Sequence, residues 1–158
     1  MRYWLITLLT PLGLAGLDQA IKAWATAYLK PVGSMPLIPG IVELRYLLNT
    51  GAAFGSLAGR QLFLIVFTVI AMAAVLVYLL WKKPQSKLEY IGWLLILGGG
   101  LGNLIDRVSA QAVVDYINPL FMDFAIFNFA DICISVGIGL YILDILLTMR
   151  KKEKNGAA

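Results

Sequence analysis

The sequence contains no histidine and a single cysteine, Cys133. Those shortages remove whole classes of chemistry. A His-Glu-x-x-His zinc site cannot be built, and neither can a Ser-His or Cys-His pair. An intramolecular disulfide is impossible, so the redox compartment cannot be read from cysteine usage. Charge is scarce too: 14% of the 158 residues are charged and 60% are hydrophobic, with a mean hydropathy of +0.82. An average globular chain is about a quarter charged and about half apolar. One soluble core of this length could not hide so much apolar surface, so lipid must be part of the solvent. The net charge of +4 does not point to nucleic acid. Lys82, Lys83 and Lys87 form one group and Arg150, Lys151, Lys152 and Lys154 another, both beside apolar runs, as expected of membrane-orienting charges. If the protein is a hydrolase, carboxylates are the best remaining candidates for its acid–base chemistry, with no metal and no cofactor.

A hydrocarbon core of ~30 Å needs about 20 mostly apolar residues per helix. Four segments meet this, roughly residues 3–29, 61–81, 88–105 and 129–149. With no internal repeat or linker, residues 1–158 read as a single membrane domain. If both termini are cytoplasmic, the inside carries eight lysines and arginines and the outside four, Lys30, Arg45, Arg60 and Arg107. That asymmetry favours both termini inside. A cleavable signal peptide would need a shorter apolar run than the first segment, which also holds Asp18 and Lys22. Four residues apart, these two share a helix face. They read either as a functional pair, as a helix-packing ion pair, or as a lysine reaching for the outer interface.

The outer segment from Lys30 to Arg60 is broken by Pro31, Pro36 and Pro39. From Ile41 to Leu48 apolar and polar residues alternate, with Glu43 and Arg45 on one face and Val42, Leu44, Tyr46 and Leu48 on the other. That is a strand pattern, followed by a turn at Asn49-Thr50-Gly51. The simplest reading is a short sheet on the outer membrane surface.

Polar residues gather at the outer ends of the third and fourth spans. The third ends Gly98-Gly99-Gly100-Leu101-Gly102-Asn103-Leu104-Ile105-Asp106-Arg107. The glycines allow close backbone approach and offer room for lipid and peptide. Asn103, Asp106 and Arg107 can all face the bundle interior, or the last two can face water. Asp115 lies in an apolar stretch. Asn128 and Asp131 share a face at the head of the fourth span, where Asp131 can equally be a first-turn acid favoured by the helix dipole. Asp123 reads as a solvated loop acid and Asp144 as interfacial. Cys133, about 200° around the helix from Asp131, should face away from it. Two boundary aspartates backed by asparagines and an arginine suggest an aspartyl-protease pair sharing one proton. The rival reading is a non-enzymatic membrane protein, such as a small transporter subunit, with polar residues lining a path.

Five motifs occur in order between the spans: Asp18-Gln19-x-x-Lys22, Asn49-Thr50-Gly51-Ala52-Ala53-Phe54, Gly102-Asn103-x-x-Asp106-Arg107, Val113-Val114-Asp115-Tyr116 and Phe127-Asn128-x-Ala130-Asp131. Together they resemble the bacterial lipoprotein signal peptidases, or signal peptidase II, over essentially the whole chain. The resemblance implies an all-α membrane protein of four transmembrane helices with a small extracytoplasmic β-sheet cradle and a mobile outer helix. It implies an aspartyl endopeptidase of the bacterial cytoplasmic membrane that acts on membrane-anchored diacylglyceryl prolipoproteins, cutting just before the modified cysteine. By motif match the catalytic pair is Asp115 and Asp131, with Asn49, Asn103, Arg107 and Asn128 near the active site and Asp18 and Lys22 as supporting residues. The chain departs from the family in lacking a proline within Phe124-Ala125-Ile126-Phe127-Asn128, and its stretch from Asp115 to Asp131 is slightly short.

Overall fold

A computed structural model describes residues 2–51, 56–57, 59–84 and 86–156. Ala52, Ala53 and Phe54 of the second motif, and any outer helix there, lie outside the described residues.

Apolar runs become helices where every backbone group must be satisfied within the segment. Helix α1 runs Arg2–Trp24, passes through a π-helical turn at Ala25–Leu29 and ends in a short turn α2, Lys30–Val32. The other long helices are α3 Gln61–Lys82, α4 Lys87–Ala110 and α5 Phe129–Gly156. Four spans long and apolar enough to cross a bilayer result, at Tyr3–Val32, Gln61–Lys82, Lys87–Ala110 and Phe129–Lys152. The third outruns the expected residue 105 by a full turn. It stops where Gln111 takes a left-handed conformation, φ +56°.

Helix α4 is central, packed against α1, α3 and α5. Its glycines explain the contact. A Cβ on Gly99 would lie 2.3 Å from the carbonyl oxygen of Ala130 on α5, and one on Gly102 would lie 2.5 Å from Asp18 Oδ2 on α1. The run Gly98–Gly102 is therefore filled by neighbouring helices. It offers no room for lipid or peptide, contrary to the expectation from sequence.

The sheet at one end of the bundle has the order β1-β2-β3, all antiparallel, from β1 Ser34–Ile38, β2 Val42–Asn49 and β3 Val113–Pro119. Sequence alternation located β2 but not its neighbours. Pro36 is tolerated because β1 is an edge strand. The β2–β3 pairing carries a bulge: Leu44 faces Ile117, yet Leu47 faces Asp115 and Asn49 faces Val113. Directly opposed residues project to one side, so Leu44, Leu47 and Asn49 share the face of Asp115. Simple alternation puts Asn49 on the face opposite Leu44. The extra residue turns Asn49 toward Asp115, as bulges beside functional sites do. Beneath the sheet Ala25, Leu29 and Tyr116 form a buried cluster.

Candidate active site

Helix α5 begins at Phe129, so its first N–H groups need partners. Asn128 supplies one: its Oδ1 accepts from the Asp131 N–H at 3.1 Å, and Asp131 Oδ2 accepts from the Asn128 N–H at 3.1 Å. This is a reciprocal capping box. Asp18 on α1 supplies another, its Oδ1 accepting from the Ala130 N–H at 3.0 Å. Tyr116 supplies a third through its hydroxyl, which accepts from the Phe129 N–H at 3.1 Å. The reading of Asp131 as a first-turn acid thus holds, and it uses one oxygen. The other, Oδ1, accepts from Asn103 Nδ2 at 2.8 Å.

Asp115 projects from β3 and is 2% exposed. Its oxygens accept from Asn128 Nδ2 at 2.6 Å and from Asn49 Nδ2 at 2.9 Å. Burial pushes the Asp115 carboxyl up to about 6, and the nearby Asp131 charge adds to the rise, while the bonds from Asn49 and Asn128 oppose it. Asn128 therefore holds both aspartates at once, Asp115 through its amide and Asp131 through the helix cap. The loop leading to Asn128 is clamped to β3, with Ile117 and Phe127 exchanging backbone hydrogen bonds of 2.8 and 3.1 Å. That clamp fixes Asn128 even though Ala125 stands in the stretch where the family often has proline.

Behind the aspartates lies a second polar layer. Lys22 is buried and pairs with Asp18 and Asp106, both at 2.8 Å. It does not reach for the interface. Its ammonium also donates to Asn103 Oδ1 at 2.8 Å. Gln19 donates to Asp106 at 2.8 Å and to the Gly102 carbonyl at 3.1 Å. Asp106 was open to a water-facing reading, but it is buried. Its place was signalled by the three-residue spacing from Asn103, as was that of Gln19 by its neighbour Asp18. Arg107 donates to the carbonyls of Gly51 at 3.2 Å and Asn103 at 3.3 Å, tying the loop after β2 to α4.

Asp115, Asp131, Asn49, Asn103 and Arg107 line one cavity of about 460 Å³, walled by Phe124–Phe127 and by Ile132, Ser135 and Val136 of α5. Asn128, Asp18 and Lys22 stand behind the wall. Cys133 is buried away from this lining, as its helical spacing predicts, and Asp123 is exposed. No group of His, Cys, Asp and Glu among the described residues could hold a metal ion. Two carboxylates at the mouth of an apolar groove can divide the work of one water molecule between them, one taking its proton and the other protonating or polarising an oxygen.

Four spanning helices with a carboxylate pair under a small sheet define a membrane-embedded peptidase of the aspartic class. The chain belongs to the signal peptidase II family: the family model described as "Signal peptidase (SPase) II" matches residues 11–147. It is 41% identical over 146 residues to a lipoprotein signal peptidase of Streptococcus thermophilus, covering 92% of each chain. With the enzyme of the same description from Clostridium acetobutylicum it shares 38% over 139 residues, covering 86% of this chain and 90% of the relative. A bacterial membrane enzyme solved by the in meso method at 2.3 Å resolution superposes with a TM-score of 0.84 at 31% identity, covering 92% of this chain and 90% of that one.

Proposed function

We propose that Asp115 and Asp131 are the catalytic pair with which this enzyme removes signal peptides from prolipoproteins, cutting before a diacylglyceryl-modified cysteine. The observation that carries the reading is their convergence on one cavity through Asn128, from a strand and a helix start. Neighbouring carboxylates do not both ionise easily, and the raised Asp115 is the member that keeps a proton. The ionised member takes a proton from water, the oxygen attacks the scissile carbonyl, and the protonated member donates to the carbonyl oxygen. A raised Asp115 keeps that proton available nearer neutrality than an ordinary carboxyl would. Arg107 adds a positive charge at the cavity wall, and its Nε has no hydrogen-bond partner among the described residues.

The N-terminal end of α1 packs beside Leu79 and Tyr90, so it shares an end of the bundle with the α3–α4 turn. The sheet and the cavity lie at the other end. With eight basic residues against four, both termini are cytoplasmic and the site opens at the outer face. A peptide bond cut there belongs to an anchored substrate, and a lipid on the modified cysteine would fix its depth, a positioning effect that supplies much of the barrier reduction. The test is one proprotein with and without diacylglyceryl transfer, incubated with the purified enzyme in detergent micelles and read by mass spectrometry. Cleavage immediately before the modified cysteine, only in the lipidated form, is expected. Equal cleavage of the unmodified form would remove the lipid from the recognition.

A further inference from the structure

Lys22 has three ammonium protons and three acceptors: Asp18 Oδ2, Asp106 Oδ2 and Asn103 Oδ1, each at 2.8 Å. Two carboxylates already more than balance its charge. A pair serving only to join α1 to α4 would be complete without the third bond. That bond goes to a neutral amide whose other end donates to Asp131 Oδ1 at 2.8 Å. The same amide oxygen accepts a second bond, from Asn128 Nδ2 at 3.2 Å.

The orientation of Asn103 follows from its neighbours. Turning the amide over would set its NH2 against the Lys22 ammonium and the Asn128 NH2, donors facing donors. It would also set the amide oxygen against the Asp131 carboxylate. Asn103 is 5% exposed and Asn128 is fully buried, so no bulk water is at hand to relieve the misfit, and an unmade bond there carries its full desolvation penalty.

We propose that Lys22 is a positioning residue for the peptidase reaction, its ammonium locking the Asn103 amide so that Nδ2 is held against Asp131. This rests on Asp131 being catalytic. Lys22 spends all three protons on other partners and acts on the carboxylate through Asn103. With the lysine removed, the Asn103 oxygen keeps only its longer bond from Asn128, at 3.2 Å, and Nδ2 is held less firmly against the carboxylate. Misplacement of a reacting group costs up to about 100-fold in rate, and the loss belongs to kcat because substrate contacts are untouched.

The test uses the full chain, purified in detergent micelles, with a diacylglyceryl-modified proprotein as substrate. Lys22→Met, Asn103→Leu and their combination form a cycle, with Asp131→Asn run alongside. Because Lys22→Met leaves buried negative charge, Lys22→Met with Asp106→Asn is the substitute if the single variant does not yield monodisperse protein. Lys22→Met is expected to lower kcat 10- to 100-fold with KM within about twofold. Asn103→Leu should lower kcat at least as much, and the combination should match Asn103→Leu alone, since coupled residues are non-additive. Wild-type kcat in the folded fraction of Lys22→Met, or losses that multiply in the combination, would reduce Lys22 to a packing ion pair. If Asp131→Asn is inactive while Lys22→Met is normal, only the positioning role falls. An active Asp131→Asn would remove the catalytic pair itself, and the positioning role with it.

Discussion

The two ends of the helix bundle are joined by different chemistry. At the sheet-bearing end α1, α4 and α5 meet through buried charges and amides: Asp18, Lys22, Asn103, Asp106 and Asn128. At the other end the same helices meet through rings. Tyr3 stacks on Tyr90 with centroids 5.1 Å apart, and Trp93 lies 4.7 Å from Tyr141. Polar contacts there link hydroxyls rather than a charge network: fully buried Thr7 with Tyr90 at 2.9 Å and Tyr3 donating to the Leu79 carbonyl at 2.9 Å, with Tyr78 donating to Glu89. Ring packing tolerates small changes, because each contact contributes little and many share the load. A buried polar network does not, since one deletion strands the partners left behind. The difference shows where fixed geometry is required and where adhesion suffices.

The largest effect should come from the carboxylates. Asp115→Asn and Asp131→Asn keep size and packing but cannot share a proton, so turnover should fall by about 10²–10⁴ or more in protein that still purifies as a folded species. Near-normal turnover in either would break the contrast between the two ends at its centre. A pH profile sharpens it. Asp115 holds its proton below its raised value, about 6, and ionises above it, so the proton-donating member of the pair is lost and turnover should fall as pH rises through that region. Asn49→Ala removes a bond that lowers the Asp115 value, and should move this alkaline limb to higher pH.

Glycine substitutions compare the ends directly. A Cβ at Gly99 meets the Ala130 carbonyl near the head of α5, and one at Gly92 would lie 2.7 Å from the Gly137 carbonyl further along the same helix pair. Both Gly99→Ala and Gly92→Ala should cost about 1–3 kcal/mol of stability, read as a lowered melting temperature in micelles. Only Gly99→Ala should also depress turnover in the folded fraction, because it displaces the cap that holds Asp131. Smaller still, Tyr90→Phe should cost about 0.5–1.5 kcal/mol and leave turnover unchanged. Asp123→Asn and Cys133→Ser should show wild-type turnover, and loss in either, with folding preserved, would place chemistry outside the cavity described.

What sequence could and could not announce follows from range. The four spans were legible because each run is long enough to cross a bilayer and carries few charges. Strand β2, Val42–Asn49, was legible by the alternation read over Ile41–Leu48. Strands β1 and β3 were not: Ser34–Ile38 is exposed along its length and contains Pro36, and Val113–Pro119 mixes burial on both faces. Only pairing with β2 makes them strands. The bulge between Leu44 and Leu47 is likewise a property of two strands together. The candidate site residues came from the ordered motifs; Gln19 lay inside them without being singled out, and Asp106 was left open between the bundle interior and water. The glycine run was misread because close approach and open space look alike in a one-dimensional pattern. Only the partner helix distinguishes them.

Asp18 and Lys22 stand one turn apart, so the first span carries its own counter-charge from the moment it leaves the ribosome. A lone charge at the centre of a membrane helix raises the insertion free energy by about 2.5–3.5 kcal/mol. Here the cation meets an anion within the same segment, before α4 or Asp106 has been synthesised. The span can therefore enter the bilayer as an independent unit and exchange solvent for Asn103 and Asp106 later, when α4 arrives beside it. Insertion of the span and the later bond to Asn103 thus make separate demands on the same lysine. Glycosylation mapping of the isolated first span should show poorer insertion for Asp18→Asn, which strands the ammonium, and recovery when Lys22→Met is added.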